Sequence, residues 1–211
     1  MTDSYFDTRL SPHGARTEVW RHITKFLASW IDSHQPTLEL GAGYADFSRY
    51  VTSSLRVAMD IAPQLMAFVP KDVEAVVGDC TDLSRFTDGE FGTVLASNFI
   101  EHLDRPQIDS CLSGVLRILR PGGNLILIQP NFRLNPGGYF DDYTHKSIFT
   151  DRSLSDLLVA HGFAIRHVEA RFLPLTLKSK LSFGHKLVPL YLKLPYRPLA
   201  GQMLIVATKA N

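Results

Sequence analysis

The chain has 211 residues, 45% hydrophobic and 20% charged, which excludes intrinsic disorder and fits a single domain with a substantial core. Two cysteines, Cys80 and Cys111, exclude a disulfide scaffold and favour a reducing compartment. The net charge of +1 argues against a dedicated nucleic-acid binder. No apolar run reaches the roughly 18 residues of a membrane span, and the opening MTDSYFDTRL lacks the apolar stretch of a signal peptide. The expectation is a cytoplasmic protein.

In chain order, Val19, Ile23, Phe26, Leu27, Trp30 and Ile31 recur at helical spacing and predict an amphipathic helix from about Ala15 to Asp32. After Pro36, Thr37–Leu40 reads as a short strand running into glycine. Leu55–Met59 predicts a second strand closing on Asp60, Ala75–Val77 a third closing on Gly78-Asp79, and Thr93–Ala96 a fourth. Leu112, Val115, Leu116 and Leu119 place a helix between Asp104 and Arg120, stopped by Pro121-Gly122-Gly123. Leu125–Ile128 is a continuous apolar strand of the kind buried on both faces. A polar loop, Asn131–Phe149, follows. Ser153-Leu154-Ser155-Asp156 reads as a capping box opening a helix that ends at Gly162, and Ala164–Val168 and Met203–Ala207 read as the last strands. This alternation predicts an α/β fold with a mostly parallel sheet and helices on both faces, without repeats or linkers.

Ligands of open parallel sheets lie at the carboxyl ends of strands near the switch point of strand order. The first strand there runs into Glu39-Leu40-Gly41-Ala42-Gly43, where two glycines permit close backbone approach and positive φ. Asp46 stands where the pyrophosphate-binding fingerprint has its third glycine, which disfavours a nicotinamide or flavin cofactor. Asp60 lies 19 residues beyond Gly41 and Asp79 another 19 residues on. One acid for a ribose and a second for an adenine amine suit a nucleoside without phosphate.

With SNFIEHL at Ser97–Leu103 and LRPGG at Leu119–Gly123, the ordered set resembles the class I S-adenosylmethionine-dependent methyltransferases of the small-molecule type over Thr37 to about Asn131. The resemblance implies a Rossmann-like seven-stranded sheet of order 3-2-1-4-5-7-6, its seventh strand antiparallel, and S-adenosyl-L-methionine as cofactor. It assigns Glu39, Gly41, Ala42 and Gly43 to the methionine side, Asp60 with Ile61 to the ribose, and Asp79 with Cys80 to the adenine. Ser97 and Asn98 are assigned to the wall beside the sulfonium. Alternatives are a non-catalytic cofactor-binding or scaffold protein on the same fold and, disfavoured by Asp46 and Asp79, an oxidoreductase.

The acceptor pocket is expected in Asn131-Phe132-Arg133 and Tyr139–His145. Its two carboxylates and one imidazole within five residues suggest that His145 deprotonates an acceptor hydroxyl, oriented by Asp142 or Asp141. The competing readings are that the acids cap turns while His145 packs under Phe149, or that Asp141, Asp142 and His145 ligate a metal; no metal is assigned. The whole chain reads as one methyltransferase domain. Its N-terminal helical lid, about 1–35, contains Tyr5, Phe6, Arg16 and Trp20, and an apolar basic insertion spans about 172–198.

From Arg171 to Asn211 there is no Asp or Glu but seven Lys and Arg, so the first 170 residues carry about −6. That tail could cover the acceptor pocket, lie on an anionic membrane surface, or bind a phosphorylated acceptor such as a nucleotide- or lipid-linked sugar. Its overall pattern resembles methyltransferases of bacterial surface-polysaccharide pathways. The expected partners are therefore a small-molecule acceptor and, peripherally, the inner membrane surface, with nucleic acid disfavoured.

Overall fold

A computed structural model describes residues 14–174 and 187–210. Helix α1 is Gly14–Leu27, β1 is Thr37–Leu40, α2 is Asp46–Tyr50, β2 is Arg56–Asp60 and β3 is Glu74–Val77. Then come β4, Phe91–Ser97, α3, Arg105–Ile118, β5, Leu119–Pro130, and α4, Asp151–Ala160. Last are β6, Phe163–Glu169, α5, Val188–Leu192, and β7, Gln202–Lys209. The seven strands form one sheet of order β3-β2-β1-β4-β5-β7-β6. Pairing is parallel from β3 through β5, and β7 runs antiparallel to both β5 and β6. Fold and strand order are those the resemblance implied.

Strand periodicity divides the core into two layers, since alternate side chains of a strand point to opposite faces. Leu125 and Leu127 of β5 join Met203 and Ile205 of β7 against Ile108, Leu112 and Val115 of α3 and Leu154 of α4. Ile126, Ile128, Leu204 and Val206 face the other way, onto Val19, Trp20, Ile23 and Leu27 of α1. Trp20, placed in a lid on sequence grounds, is 7% exposed and belongs to this second layer. Tyr5 and Phe6 lie outside the described residues.

Several features depart from the sequence reading. Helix α3 stops at Ile118, and Pro121-Gly122-Gly123 lies within β5, whose Leu119 already pairs with Phe91. Pairing to β4 thus ends the helix before the proline does. The capping box of α4 begins three residues earlier than read: the Thr150 hydroxyl accepts from Ser153 N, and Ser153 Oγ accepts from Thr150 N. Ser153 is the reciprocal partner rather than the cap. Thirdly, the tail contains a short helix, α5, that its prolines and lysines had hidden.

Candidate active site at the carboxyl ends of β1, β2 and β4

Beyond β1 the backbone turns through three left-handed residues, Gly41 (φ 61°), Gly43 (φ 53°) and Ala45 (φ 55°), before α2 begins. The two glycines differ in surroundings. A Cβ on Gly41 would run into the Phe99 ring, whereas one on Gly43 would meet nothing within 4 Å. The turn thus has an open side at Gly43.

Acidic side chains hold this turn from within. Asp60, at the end of β2 and 9% exposed, accepts from Gly43 N at 2.9 Å and from Ala62 N at 2.9 Å. Glu39, 5% exposed, accepts from Phe47 N at 3.3 Å and Ser48 N at 2.8 Å, satisfying two amides of the first turn of α2. Burial pushes its pKa up to about 7, against the opposing pull of the Ser48 and Phe47 hydrogen bonds. Asp46 is 3% exposed and paired to Arg16 at 2.7 Å, with the Thr17 hydroxyl 3.4 Å away. The residue that replaces the third glycine therefore ties α1 to the turn.

The other expected cofactor residues line the neighbouring strand ends. Asp79 is exposed and accepts on Oδ1 from the amide and hydroxyl of Thr81, both at 2.9 Å. Cys80 is a free buried thiol in the core beside Cys111, whose pKa is raised by the Cys80 contact and by burial. Ile61 is 56% exposed. Ala42 is buried, and its amide donates to Met59 O at 3.0 Å. Ser97 closes β4, and exposed Asn98 follows at φ 47° with its amide on Ile128 O.

Two residues that shape this wall went unassigned in the sequence reading. Gln202 Nε2 donates to Asn98 Oδ1 at 2.6 Å, and Gln129 Oε1 accepts from Phe99 N at 3.2 Å. Gln129 is fully buried and Gln202 is 5% exposed. The available signal was one amide side chain in each of two otherwise apolar strands, LILIQP and QMLIV. A buried amide demands partners, and here those partners are the residues just past β4.

The loop after β5 folds back onto the turn Ile100–His102. Lys146 N and Ser147 N both donate to Glu101 O, and Ser147 Oγ donates to Leu103 O. This brings His145 beside the Glu101 carboxylate, which the sequence reading had not assigned, while Asp142 stays close enough to feel the charge of both imidazoles. His145 Nε2 lies 3.9 Å from Glu101 Oε1, and so does His102 Nε2. Asp142 accepts from the Thr144 amide at 3.0 Å and the Thr144 hydroxyl at 2.6 Å, while Thr144 Oγ1 is 2.8 Å from His102 Nδ1. Asp141 is exposed, in the short turn Tyr139–Asp141.

Glu101 is fully buried, and neither of its carboxylate oxygens meets a hydrogen-bond donor. Burial pushes its pKa up to about 8. Burial and the neighbouring His145 depress that of His102. Burial opposes ionisation of Asp142, yet the Thr144 hydrogen bonds and the two imidazoles hold its pKa below the ordinary value. Tyr139 packs its ring 4.8 Å from that of His145 and donates its hydroxyl to Ser147 O at 2.7 Å. Asn131 and Arg133, expected in the acceptor pocket, both bond to Asp151, which anchors the loop to α4. Beside this loop an open cleft of about 490 Å³ is lined by Leu134, Asn135, Arg171, Tyr196 and residues 198–201. The Arg171 guanidinium stacks 4.7 Å from the Tyr196 ring centre.

The tail's charges are partly spent internally. Arg197 is 5% exposed, pairs with Glu169 at 3.1 Å and donates to Leu192 O at 2.7 Å. Lys209 donates to Leu119 O at 2.8 Å. Lys178, Lys180 and Lys186 lie outside the described residues. No helix among the described residues is long and apolar enough to cross a membrane.

Comparison with known proteins fits this architecture. Residues 38–127 match the methyltransferase domain family. The cypemycin N-terminal methyltransferase of Streptomyces sp is 28% identical over 113 residues, covering 48% of this chain and 46% of that protein. The chain thus spans about half the length of the curated relative it matches. A SAM-dependent methyltransferase of Archaeoglobus fulgidus superposes with a TM-score of 0.69 at 19% identity, covering 98% of both chains. The PH0226 protein of Pyrococcus horikoshii OT3 superposes at 0.71 with 16% identity, covering 99% of this chain and 100% of the other. Those two likenesses establish the fold. Residues 38–127 are thus similar in sequence to a methyltransferase domain and lie within the fold that SAM-dependent methyltransferases of known structure share.

Proposed function

We propose that this protein is a methyltransferase that uses S-adenosyl-L-methionine to O-methylate a small hydroxyl compound, a sugar or glycan intermediate. The observation that carries the reading is the turn Gly41–Ala45: left-handed at both glycines, pinned through Gly43 N to Asp60, and open on its Gly43 side. These residues fit the cofactor. Each carboxylate oxygen of Asp60 accepts one amide and keeps a further lone pair for a ribose hydroxyl. The sulfonium supplies an already activated methyl group, so this chain's residues need only align donor and acceptor.

A hydroxyl acceptor must also lose its proton. The proton-accepting groups gathered where β4 and β5 end are Asp141, Asp142, His102 and His145, which supports a hydroxyl over a thiolate or free amine. The neighbouring cleft, with Arg171 stacked on Tyr196, offers a cation and an aromatic face. Both suit a phosphorylated, nucleotide- or lipid-linked sugar. Exposed Leu187, Leu190 and Lys193 support a peripheral contact with anionic lipid in the same reading. Sedimentation with anionic liposomes at low and high salt tests that contact.

Calorimetric titration with S-adenosylhomocysteine should give one site per chain, and NAD should give none. The absence of the first site would sink the cofactor reading. A bound cofactor with no methylation across a panel of free, nucleotide-linked and lipid-linked sugars would favour a non-catalytic cofactor-binding protein.

A further inference from the structure

We propose that Glu101, His102 and His145 form a binding site for a first-row divalent cation of the zinc class, joining the turn after β4 to the loop after β5. Three observations converge on it. One ligand atom from each residue lies within 4.8 Å of the others, and both imidazole Nε2 atoms are 3.9 Å from Glu101 Oε1. The Glu101 carboxylate is wholly buried with no hydrogen-bond donor on either oxygen, a costly arrangement that a cation would relieve.

The third observation fixes a tautomer. The one hydroxyl proton of Thr144 is given to Asp142 at 2.6 Å, so toward His102 Nδ1, at 2.8 Å, Thr144 Oγ1 can only accept. His102 therefore carries its proton on Nδ1, so Nε2 is the ring atom that would ligate an ion. The chain Asp142–Thr144–His102 is moreover the kind of outer support that orients a metal-ligating imidazole.

Two imidazoles and one carboxylate select zinc, cobalt or nickel over magnesium and calcium, which prefer all-oxygen shells. Tetrahedral coordination at about 2.0–2.1 Å requires ligand atoms roughly 3.3 Å apart, so the two rings need to swing inward by about 1 Å. Three protein ligands leave a fourth position open. One consequence rests on the function proposed above, although the site itself does not. An acceptor hydroxyl at that position would lose its proton to solvent as the S–CH₃ bond breaks and the O–CH₃ bond forms. The ion would then replace His145 as the agent that activates the acceptor.

The test uses untagged full-length protein, stripped with EDTA and then titrated with Zn²⁺ and with Co²⁺. Expected are one ion per chain at micromolar or tighter affinity, a raised Tm, and a Co²⁺ spectrum of nitrogen and oxygen ligands. His102→Ala and His145→Ala, checked for a cooperative melt, should each weaken binding at least 100-fold. Sub-stoichiometric binding at 100 μM ion, or unchanged affinity in both variants, would overturn the site. Thiolate charge-transfer bands would overturn it too, by moving the ion to Cys80 and Cys111. The Co²⁺ spectrum of the unmodified protein decides the matter even where a variant fails to fold. Equal methyl transfer by stripped and loaded protein would remove the consequence while leaving the site in place.

Discussion

Gly41 and Gly43 share a left-handed backbone but not a role, and substitution separates them. Alanine at either position incurs the left-handed penalty of about 1–2 kcal/mol. Gly41→Ala also drives a methyl into the Phe99 ring, so it should lower Tm more than Gly43→Ala. Gly43→Ala puts its methyl into open space, and its loss should appear in the cofactor: at least tenfold weaker S-adenosylhomocysteine binding by calorimetry. Equal affinities for Gly43→Ala and the unmodified protein would mean that the cofactor lies elsewhere. Glu39 offers a pH test. Its folded pKa of about 7 lies above the ordinary 4.5, so the native state holds the proton more tightly than the unfolded chain. The stability contributed is full below about pH 4.5 and is lost as pH rises through 7, an effect of order 3 kcal/mol. Urea unfolding at pH 5 and pH 8 should show the gap between the unmodified protein and Glu39→Gln narrowing by that order as pH rises. A gap independent of pH would place the Glu39 carboxylate in a wetter site than the structure shows.

Among the elements, α1 is joined to the turn after β1 by the Arg16–Asp46 ion pair and to the sheet by a layer of apolar contacts. Asp46 is almost fully buried while Arg16 is one-third exposed. Arg16→Ala would leave that carboxylate without its cation, at a cost of about 2 kcal/mol by analogy with unsatisfied buried groups. Urea unfolding of Arg16→Ala, Asp46→Asn and the double variant should give a coupling energy of about 1 kcal/mol or more; additive effects would show the pair to be idle. The same contact explains why the chain tolerates an acid where dinucleotide-binding turns have glycine: the side chain is directed at α1. Spacing could reveal that Asp46 breaks the fingerprint. It could not reveal Arg16, thirty residues earlier, as the partner, because that contact exists only once α1 packs on the sheet. The α4 cap shows the same limit at short range. Thr150 and Ser153 are both competent caps, and the choice between them was made where the loop enters the helix.

For the molecule as a whole, the acid-free stretch from Arg171 onward reads as a basic surface, yet Arg197 is among the most buried polar residues. It pairs with Glu169, bonds the end of α5 and stacks over Phe26 and Phe172. Arg197→Ala should therefore cost about 2–4 kcal/mol through lost packing and unsatisfied carbonyls, read as a lower urea midpoint. A change below about 0.5 kcal/mol would return this arginine to the surface.

The sheet, its two apolar layers and the acids at its strand tips were all legible in the sequence, because they follow from local periodicity and from residues at the ends of apolar runs. The full set of groups around His145 was not legible. His145 and Asp142 are three apart, but the fold adds Thr144 on Asp142 and sets Glu101, more than forty residues away in the chain, beside His145. That choice depends on how the loop after β5 lies on the turn after β4, a long-range packing that no local pattern encodes. Local pattern determined the sheet; the packing of one loop decided what surrounds the buried Glu101 carboxyl.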